Sequence, residues 1–410
     1  MQIKSDILRR VWIVSELYYP EETSTGYIMT EIAEGLAEQF EIGVLCSQPT
    51  YASRGQRSLS NETRNGVHIH RCWSTTLNKD VLPFRLVNMM TITLSIFLTC
   101  LHCFRSGDIV IVVTNPPLLP FAVLLASRFC RSKCCLLVHD VYPEALVAYG
   151  IAKPNSLIVR GIGWLTKRLY KKMARIIVLG RDMDFMIRKK TGIIDQRIQI
   201  VPNWADTDFI KPSTCQGHPL LAKLGLSEKF IIQYSGNIGR THGIEQIVAC
   251  AEILKNDPLI HFLFIGFGGK KLWLEQHVRA RECSNITIMD YQPRTELPVS
   301  LTACDVAIIS FVRGMMGVSV PSRMYNVMAA GKPIIAVAEP NSELAIVVSE
   351  EDIGWVVSPC DIDGLRMAIL QAKSNPNLLV QMGRRAREAS ESKYSFDRVK
   401  KSYAKMITSI

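Results

Sequence analysis

The fold is decided by the sequence FIIQYSGNIGRTHGIEQIVACAEIL at residues 230–254. Phe230–Tyr234 has the apolar run of a buried strand, and Ile244–Leu254 has apolar residues at helical spacing. The glycine-rich segment Ser235–Gly243 joins them. A strand, a short loop and a helix in this order are typical of the first unit of a doubly wound parallel sheet.

This pattern continues towards the C-terminus. Further strands are predicted at His261–Ile265, Ile286–Met289, Val306–Ile309, Ile334–Val337 and Gly354–Val357. We therefore predict a C-terminal domain over residues 206–390. A last helix is predicted to begin near Phe396, and we expect residues 391–410 to pack back on the N-terminal domain.

The first half of the chain has the same pattern. The buried strand Val11–Val14 is followed by the polar loop Glu16–Gly26, the helix Tyr27–Gln39 and the strand Ile42–Cys46. Later strands are predicted at Asp108–Val113, Cys135–Val138, Ile176–Leu179 and Ile198–Val201. The periodicity stops in a stretch rich in Pro and polar residues, 202–219, which we predict to be the linker. The sequence thus predicts an α/β fold of two Rossmann-like domains facing a cleft, the first over residues 1–205.

The charge of the chain favours an anionic partner. The net charge is +11, and Lys167, Arg168, Lys171, Lys172 and Arg175 fall within nine residues. We predict that all five share one helix with apolar residues, which is typical of an element that binds an anionic membrane surface. Basic residues interleaved with aromatic ones are not found, so nucleic acid is not an expected partner.

One apolar stretch raises the question of a membrane span. Leu86–Phe104 has 19 residues and no Lys, Arg, Asp or Glu, which is long enough to cross a bilayer. Several polar residues within it favour a buried or interfacial helix instead.

The location is predicted from cysteine usage and the N-terminus. The 12 cysteines are scattered, as free thiols are in a reducing compartment. The apolar run Val11–Val14 is too short for a secretion signal. We expect a cytoplasmic protein that is peripheral at the inner face of the cell membrane.

Two glycine-rich loops are candidate phosphate sites. The first supplies Gly236, Asn237, Gly239, Arg240 and His242. Glycines allow close approach of backbone to a ligand, and the free N–H groups at the start of a helix attract phosphate. The second loop supplies Gly266, Gly268 and Lys271, and it lacks the spacing of a nicotinamide site. Each loop taken alone also fits a plain tight turn between strand and helix.

A third loop, Gly314–Val320, precedes a helix that is predicted to start near Pro321 and to end at Gly331. Here the chain resembles the retaining GT-B glycosyltransferases of family 4, and among them the fucosyl- and N-acetylfucosaminyl-transferases of polysaccharide assembly. The resemblance extends over nearly the whole chain, through Tyr18–Pro20, His139–Glu144, Val201–Trp204, the Gly236 loop, Gly266 with Gly268, and Met328–Pro333.

The chain departs from that family at two pairs of positions. Two glutamates eight residues apart usually precede the last of these motifs, but Val318 and Asn326 stand at those positions here. An Arg and a Lys are common in the first phosphate loop, where this chain has Asn237 and His242. We expect that Arg240 and Arg323 supply the missing positive charge.

The resemblance also implies which residues surround the donor and the acceptor. It places the nucleotide sugar at the two glycine loops and at Val318, Ser319, Arg323 and Asn326, and it places Thr25 and Gly26 on the acceptor side. It further implies that His139 lies near the donor sugar, while Asp140 and Glu144 orient the acceptor hydroxyl or support the loop. Taken by itself, a His-Asp pair at a strand end is more often structural.

Two functions of different classes follow. The first is an enzyme that transfers a hexose or an (amino)deoxyhexose from a nucleotide-diphosphate sugar to a lipid-linked or saccharide acceptor, with retention. The second is a non-catalytic scaffold or binding protein of a polysaccharide assembly complex; a sugar-nucleotide epimerase is a weaker third reading. Neither a cofactor nor a metal is expected, because the Asp-x-Asp pairs at 182, 206 and 361 do not follow a long apolar strand at the cleft.

Overall fold

A computed structural model of the chain describes residues 8–49, 58–77 and 81–410. Within these ranges it has fourteen strands and fifteen α-helices, and the strands form two separate sheets. The predicted first domain, residues 1–205, includes residues 1–7, 50–57 and 78–80, which lie outside this description. The two sheets, with helices between their strands, confirm the predicted α/β class with two Rossmann-like units.

The first sheet contains eight strands in the described residues. They are β1 (Arg10–Val14), β2 (Glu41–Ser47), β3 (Asn61–Arg64), β4 (Val67–Cys72), β5 (Ile109–Val113), β6 (Lys133–Val138), β7 (Arg175–Val178) and β8 (Ile198–Ile200). Their order in space is β3-β4-β2-β1-β5-β6-β7-β8. All neighbours are parallel except β3 and β4. The inner strands are apolar over nearly every residue because helices cover both faces of the sheet.

The helices of this first unit connect its strands. They are α1 (Ser24–Leu36), α2 (Leu82–Cys103), α3 (Leu119–Phe129), α4 (Glu144–Ala148), α5 (Leu157–Lys172) and α6 (Arg181–Thr191). Thr23 caps α1, since its hydroxyl accepts from the backbone N–H of Gly26 at 3.3 Å. The cap fixes the start of α1 at Ser24, three residues before the predicted start.

The second sheet contains six parallel strands in the described part of the chain. They are β9 (Phe230–Asn237), β10 (Ile260–Phe267), β11 (Ile286–Met289), β12 (Val306–Ser310), β13 (Ile334–Val337) and β14 (Gly354–Val357), in the order β11-β10-β9-β12-β13-β14. The accompanying helices are α7 (Pro219–Lys223), α8 (Ile244–Ile253), α9 (Lys271–Ala280), α10 (Leu297–Thr302), α11 (Arg323–Ala329), α12 (Glu343–Glu350), α13 (Ile362–Ser374) and α14 (Pro376–Ser392).

The last helix, α15 (Phe396–Thr408), crosses to the first unit. Its Val399, Tyr403 and Ile407 belong to the same buried cluster as the first sheet. The ring of Phe396 lies 5.0 Å from that of Trp204. The C-terminus therefore ties the two units together, while the exact domain boundaries stay predictions.

The structure corrects the predicted basic helix at one residue. Lys167, Arg168, Lys171 and Lys172 lie on α5 and are exposed. Arg175 lies beyond the helix, because the chain turns at Met173 and Arg175 begins β7. Its guanidinium is half-buried and donates to the backbone carbonyl of Ala174 at 3.1 Å. Four residues, not five, therefore form the basic cluster of the helix.

Helix α2 contains the uncharged stretch Leu86–Phe104 almost entirely. Residues 83–103 are long and apolar enough to cross a membrane by length and composition, with a mean hydropathy of 1.7. Only 22% of that window is buried in the protein, much less than in a core helix. The helix nevertheless packs on the domain, beside α3 and against β2 and β4.

Candidate active site

A cleft of about 840 Å³ lies between the two units. The carboxyl ends of parallel strands face it from both sides, which is where ligands bind in folds of this class. Both units line it, with Thr25, His139, Asp140, Tyr149 and Trp204 from the first and Gly236, Asn237, His242, Ser319, Arg323 and Asn326 from the second. The cleft falls within the usual size range of small-molecule sites.

His139 and Asp140 are held at the end of β6 by their backbones. Both backbone N–H groups donate to the hydroxyl of Thr114, at 3.0 and 3.1 Å. The next residue, Val141, donates its N–H to the carbonyl of Val318 in the other unit at 2.9 Å. This loop therefore has little freedom, and the two side chains have fixed positions on the cleft wall.

The imidazole of His139 is buried, and one of its two nitrogens lacks a hydrogen-bond partner in the described residues. Its Nδ1 lies 3.5 Å from the hydroxyl of Thr25, and its Nε2 has no hydrogen-bond partner among the described residues. Burial lowers the pKa of His139 to about 4, so the ring is neutral near pH 7. Burial raises the pKa of Asp140, and a hydrogen bond with Ser319 opposes that rise.

Arg323 projects from the first turn of α11 to the end of β9. Its guanidinium lies over the ring of Tyr234, 4.7 Å from the centroid, and its Nη1 donates to the carbonyl of Ser235 at 3.4 Å. Its Nη2 is buried and lacks a partner within the described ranges. A side chain at Gly236 would approach Nη1 to 3.1 Å, so this glycine leaves room for the guanidinium.

His242, from the same loop as Gly236, is partly exposed, and its ring is also neutral near pH 7. Burial lowers its pKa to about 2, and the charges of Arg323 and Lys270 act in the same direction. Its ring lies 5.5 Å from that of Phe311. It therefore adds a neutral polar wall to the cleft and does not replace the positive charge of a lysine.

The remaining predicted phosphate residues are less close to the cleft. Arg240 is exposed, and neither it nor Gly239 is among the lining residues. Lys271 forms ion pairs with Asp290 and Glu275. The phosphate-binding roles of Gly239, Arg240 and Lys271 stay predictions. Arg323, by contrast, lines the cleft itself.

Gly266 and Gly268 allow the ends of two strands to approach closely. A side chain at Gly266, where φ is +154°, would come within 1.9 Å of the carbonyl of Gly236. One at Gly268, where φ is +150°, would come within 2.4 Å of the carbonyl of Ile238. Their glycine character is therefore explained by backbone packing, which in turn places the Gly236 loop.

The third loop brings Ser319 to the cleft and α11 brings Asn326, while the side chain of Val318 is buried. The helix after it begins at Arg323, later than the predicted start at Pro321, and has seven residues. Ser322 bonds across the cleft mouth to Ser24, with a distance of 2.7 Å between their hydroxyl oxygens. Thr25 and Gly26, the predicted acceptor-side residues, follow directly in α1.

Glu144 is placed apart from His139 and Asp140. It begins α4, and its carboxylate accepts from Nζ of Lys190 at 2.8 Å. Lys190 also donates to the backbone carbonyl of Tyr142. Glu144 is not among the residues that line the cleft, so its contacts fit support of the loop better than contact with a substrate.

Sequence reasoning missed the role of Asp182. Its buried carboxylate accepts from the backbone N–H of Gly317 at 2.9 Å and of Glu343 at 3.0 Å, both in the second unit. In the sequence it stands out only as part of an Asp-x-Asp pair. Its position in the first turn of α6, four residues beyond the carboxyl end of β7, is the signal that could have identified it.

Acid is expected to destabilise the protein through buried neutral histidines. Burial lowers the pKa of His139 and of His261 to about 4, from 6.5 in an unfolded chain. Below pH 6.5 the unfolded chain binds more protons, so stability is complete above that pH and is lost as pH falls towards about 4. Urea unfolding at a series of pH values measures this loss. The His261→Gln variant should lose less stability in acid than the wild type.

The matched control is His102→Gln, because His102 is exposed on α2. It should keep the acid response of the wild type. An equal acid response in His261→Gln and the wild type would contradict the assignment.

Two family models match the chain, and together they cover most of it. Residues 25–204 match the glycosyl transferase 4-like domain. Residues 220–389 match the glycosyl transferases group 1. The gap between the two matches, residues 205–219, falls within the predicted linker, 202–219.

Two curated bacterial proteins are similar over most of their length. One is WbjE of Pseudomonas aeruginosa, named as a glycosyltransferase, with 31% identity over 86% of this chain and 87% of its own. The other is WcaI of Escherichia coli strain K12, named as a colanic acid biosynthesis glycosyl transferase, with 26% identity over 87% of this chain and 91% of its own.

Solved structures share the fold at low identity. The sucrose-phosphate synthase of Thermosynechococcus elongatus superposes with a TM-score of 0.79 at 15% identity, over 98% of both chains. HepE of Anabaena, solved in complex with UDP-glucose, superposes with a TM-score of 0.73 at 12% identity, over 98% of this chain and all of its own.

Proposed function

This chain belongs to the group 1 glycosyl transferase family, and we propose that it transfers a hexose or an (amino)deoxyhexose with retention. The donor is a nucleotide-diphosphate sugar and the acceptor is a lipid-linked or saccharide chain of a cell-surface polysaccharide. WcaI, named as a colanic acid biosynthesis glycosyl transferase, supports this process, and HepE, solved in complex with UDP-glucose, supports this class of donor.

One observation carries the proposal. Nη2 of Arg323 and Nε2 of His139 are both buried and unpartnered within the described residues, and both side chains line one cleft from opposite units. Buried polar atoms almost always have a partner in a complete site. A nucleotide-diphosphate sugar supplies two partners of the required kinds, a phosphate for the guanidinium and sugar hydroxyls for the imidazole.

The reaction proceeds on one face of the donor sugar. The bond between the anomeric carbon and the diphosphate oxygen breaks, and the acceptor oxygen bonds to the same face. The acceptor proton passes to the departing diphosphate. The protein stabilises the negative charge on that diphosphate through Arg323 and the Gly236 loop, with Arg240 and Lys271 as outer positive charges.

The side chains of the first unit act on the sugar and the acceptor. His139 donates to or accepts from the donor sugar as a neutral ring. Asp140 orients the acceptor hydroxyl, and Thr25 and Gly26 form the acceptor side of the cleft. Glu144 acts indirectly, because its ion pair with Lys190 holds the loop that carries Asp140.

The competing function is a non-catalytic scaffold on the same fold. It is favoured by Val318 and Asn326, which replace the glutamates that the resemblance leads one to expect. The backbone carbonyl of Val318 is engaged by Val141, so this position now joins the two units. A scaffold would bind a nucleotide-diphosphate sugar without converting it, whereas an epimerase would convert the donor sugar without an acceptor.

We place the protein at the cytoplasmic face of the cell membrane, where a lipid-linked acceptor is presented. The exposed basic residues Lys167, Arg168, Lys171 and Lys172 support this location. Each basic residue close to an anionic surface contributes about 1 kcal/mol of binding.

Turnover is expected to need no divalent metal. In this account arginine and backbone amides bear the diphosphate charge. A panel of nucleotide-diphosphate sugars with an acceptor preparation, assayed with and without EDTA, measures nucleoside diphosphate release. The rate should be the same in both. A loss in EDTA that Mg²⁺ or Mn²⁺ restores would refute metal independence.

A further inference from the structure

One face of α2 anchors the helix to the first unit. Its buried residues recur every fourth position, at Asn88, Ile92, Ile96 and Cys100. The amide of Asn88 accepts from the hydroxyl of Thr75 at 2.7 Å and donates to the carbonyl of Leu77 at 2.8 Å. These contacts hold α2 along the domain, so it lies beside the protein and does not leave it as a span would.

The opposite face of α2 is apolar and exposed. Val87, Met90, Leu94, Leu98 and Leu101 follow one another at helical spacing on the outside. Leu94 is 59% exposed and Leu98 is 57% exposed. A continuous stripe of this kind is rare on a monomeric soluble protein and marks an interaction surface.

The neighbouring helices extend this surface. On α3, which packs beside α2, Leu125 and Phe129 are exposed, and Phe129 has 69% of its surface free. On α5, which packs beside α3, Leu157 is 82% exposed and Trp164 is 53% exposed. We call the outer faces of α2, α3 and α5 the apolar surface.

The charges on these helices have a single sign. The three helices have 22, 11 and 16 residues, and none of these is Asp or Glu. Their charged residues are all Arg or Lys, including Arg128 between Leu125 and Phe129 and Arg168 over the ring of Trp164 at 3.6 Å. Apolar side chains among basic ones are complementary to the acyl chains and headgroups of an anionic bilayer.

We propose that the apolar surface inserts into an anionic bilayer, with α2 lying in the plane of the membrane. Most of the binding free energy then comes from the apolar side chains. The basic residues at the edge of the apolar surface add an electrostatic contribution that decreases with salt. A second copy of the chain is a poorer occupant, because a two-fold contact would bring the same basic residues against each other.

The placement deepens the proposed function, since it rests on a lipid-linked acceptor. Arg85 lies in the first turn of α2, and its charge acts on the phenol groups of Tyr142 and Tyr149. Tyr149 lines the cleft. The first turn of α2 therefore lies near Tyr149 on the wall of the cleft, so a bilayer that holds α2 would present a lipid-linked acceptor close to that wall.

The test compares vesicle binding of the wild type with that of Leu94→Gln/Leu98→Gln. Both leucines are already exposed and glutamine favours helix, so folding should be unaffected. The probe is vesicles of phosphatidylglycerol and phosphatidylethanolamine, with sedimentation at low salt and at about 1 M NaCl, where charge interactions are screened. The wild type should remain partly bound at high salt. The double variant should partition about a hundredfold more weakly, because two leucines lose their apolar transfer free energy.

The matched control is Leu272→Gln/Val380→Gln, which removes two equally exposed apolar side chains from the second unit. It should bind vesicles like the wild type. Nucleoside diphosphate binding should be unchanged in both double variants. If the wild type itself does not bind nucleoside diphosphates, the proposed function fails, and that result is independent of the vesicle measurement. Three results would each overturn the insertion. The wild type could lose all vesicle binding at high salt, or the Leu94/Leu98 variant could bind vesicles as well as the wild type. The wild type could also be a dimer that the Leu94/Leu98 variant makes monomeric.

Discussion

Replacing Arg323 by alanine is expected to weaken nucleoside diphosphate binding about ten- to a hundredfold. A buried hydrogen bond to a charged group contributes roughly 1.5–3 kcal/mol, and each 1.4 kcal/mol is about a factor of ten. Arg323 lines the cleft, and its Nη2 is a buried donor without a partner in the described part of the chain. Isothermal titration with a panel of nucleoside diphosphates measures the change.

Two further variants separate charge from packing. The guanidinium of Arg323 covers the ring of Tyr234, so thermal unfolding of Arg323→Ala has to be measured alongside binding. Arg323→Lys keeps the positive charge but lacks the planar, forked donors of a guanidinium. It should therefore bind nucleoside diphosphate more tightly than Arg323→Ala and more weakly than the wild type. Arg279→Ala, on the exposed surface of the same unit, is the matched control and should bind as the wild type does. Unchanged affinity in a folded Arg323→Ala would remove Arg323 from the diphosphate site.

Replacing His139 by alanine is expected to lower kcat about a hundred- to a thousandfold, with little change in KM. A preorganised polar group that contacts the transition state typically contributes that much. His139 lines the cleft, and its Nε2 is buried without a partner in the described residues. Because burial lowers the pKa of His139 to about 4, the ring stays neutral from about pH 5 to about pH 8. Its ionisation should therefore leave the rate of the wild type unaffected in that range.

The matched control for His139 is His261→Ala. His261 is also buried, and burial lowers its pKa to about 4, but it bonds to Thr287 at 2.8 Å on the second sheet and does not line the cleft. This variant should lose stability and keep kcat. If His139→Ala instead behaves like it, with unchanged kcat, His139 has a structural role only.

Much of the sheet topology could be predicted because buried parallel strands are continuous apolar runs. Ile286–Met289, Ile334–Val337 and Gly354–Val357 were predicted with the bounds that the structure has. The hairpin of β3 and β4 was missed, since β3 is polar and lies at the sheet edge. Its turn, Asn65-Gly66, has positive φ at both residues, and an Asn-Gly pair is the strongest local signal for such a hairpin.

The candidate site was predictable as a set of loops but not as a set of contacts. His139, Gly236 and Arg323 reach one cleft because each lies at the carboxyl end of a strand or just after the loop that follows one. The ion pairs that engage Glu144 and Lys271 depend on partners 46 and 19 residues away. The bond between Val141 and Val318 depends on how the two units meet. No local pattern specifies such contacts.

The most direct test of the central claim is the fate of one labelled donor sugar. Purified protein is incubated with labelled nucleotide-diphosphate sugars and a lipid-linked saccharide preparation, and the products are analysed by mass spectrometry and by NMR of the anomeric proton. We predict one nucleoside diphosphate released for each sugar joined to the acceptor, with the donor's anomeric configuration retained, and almost no product from His139→Ala. Tight nucleotide binding without release of nucleoside diphosphate, or a linkage of inverted configuration, would contradict the account.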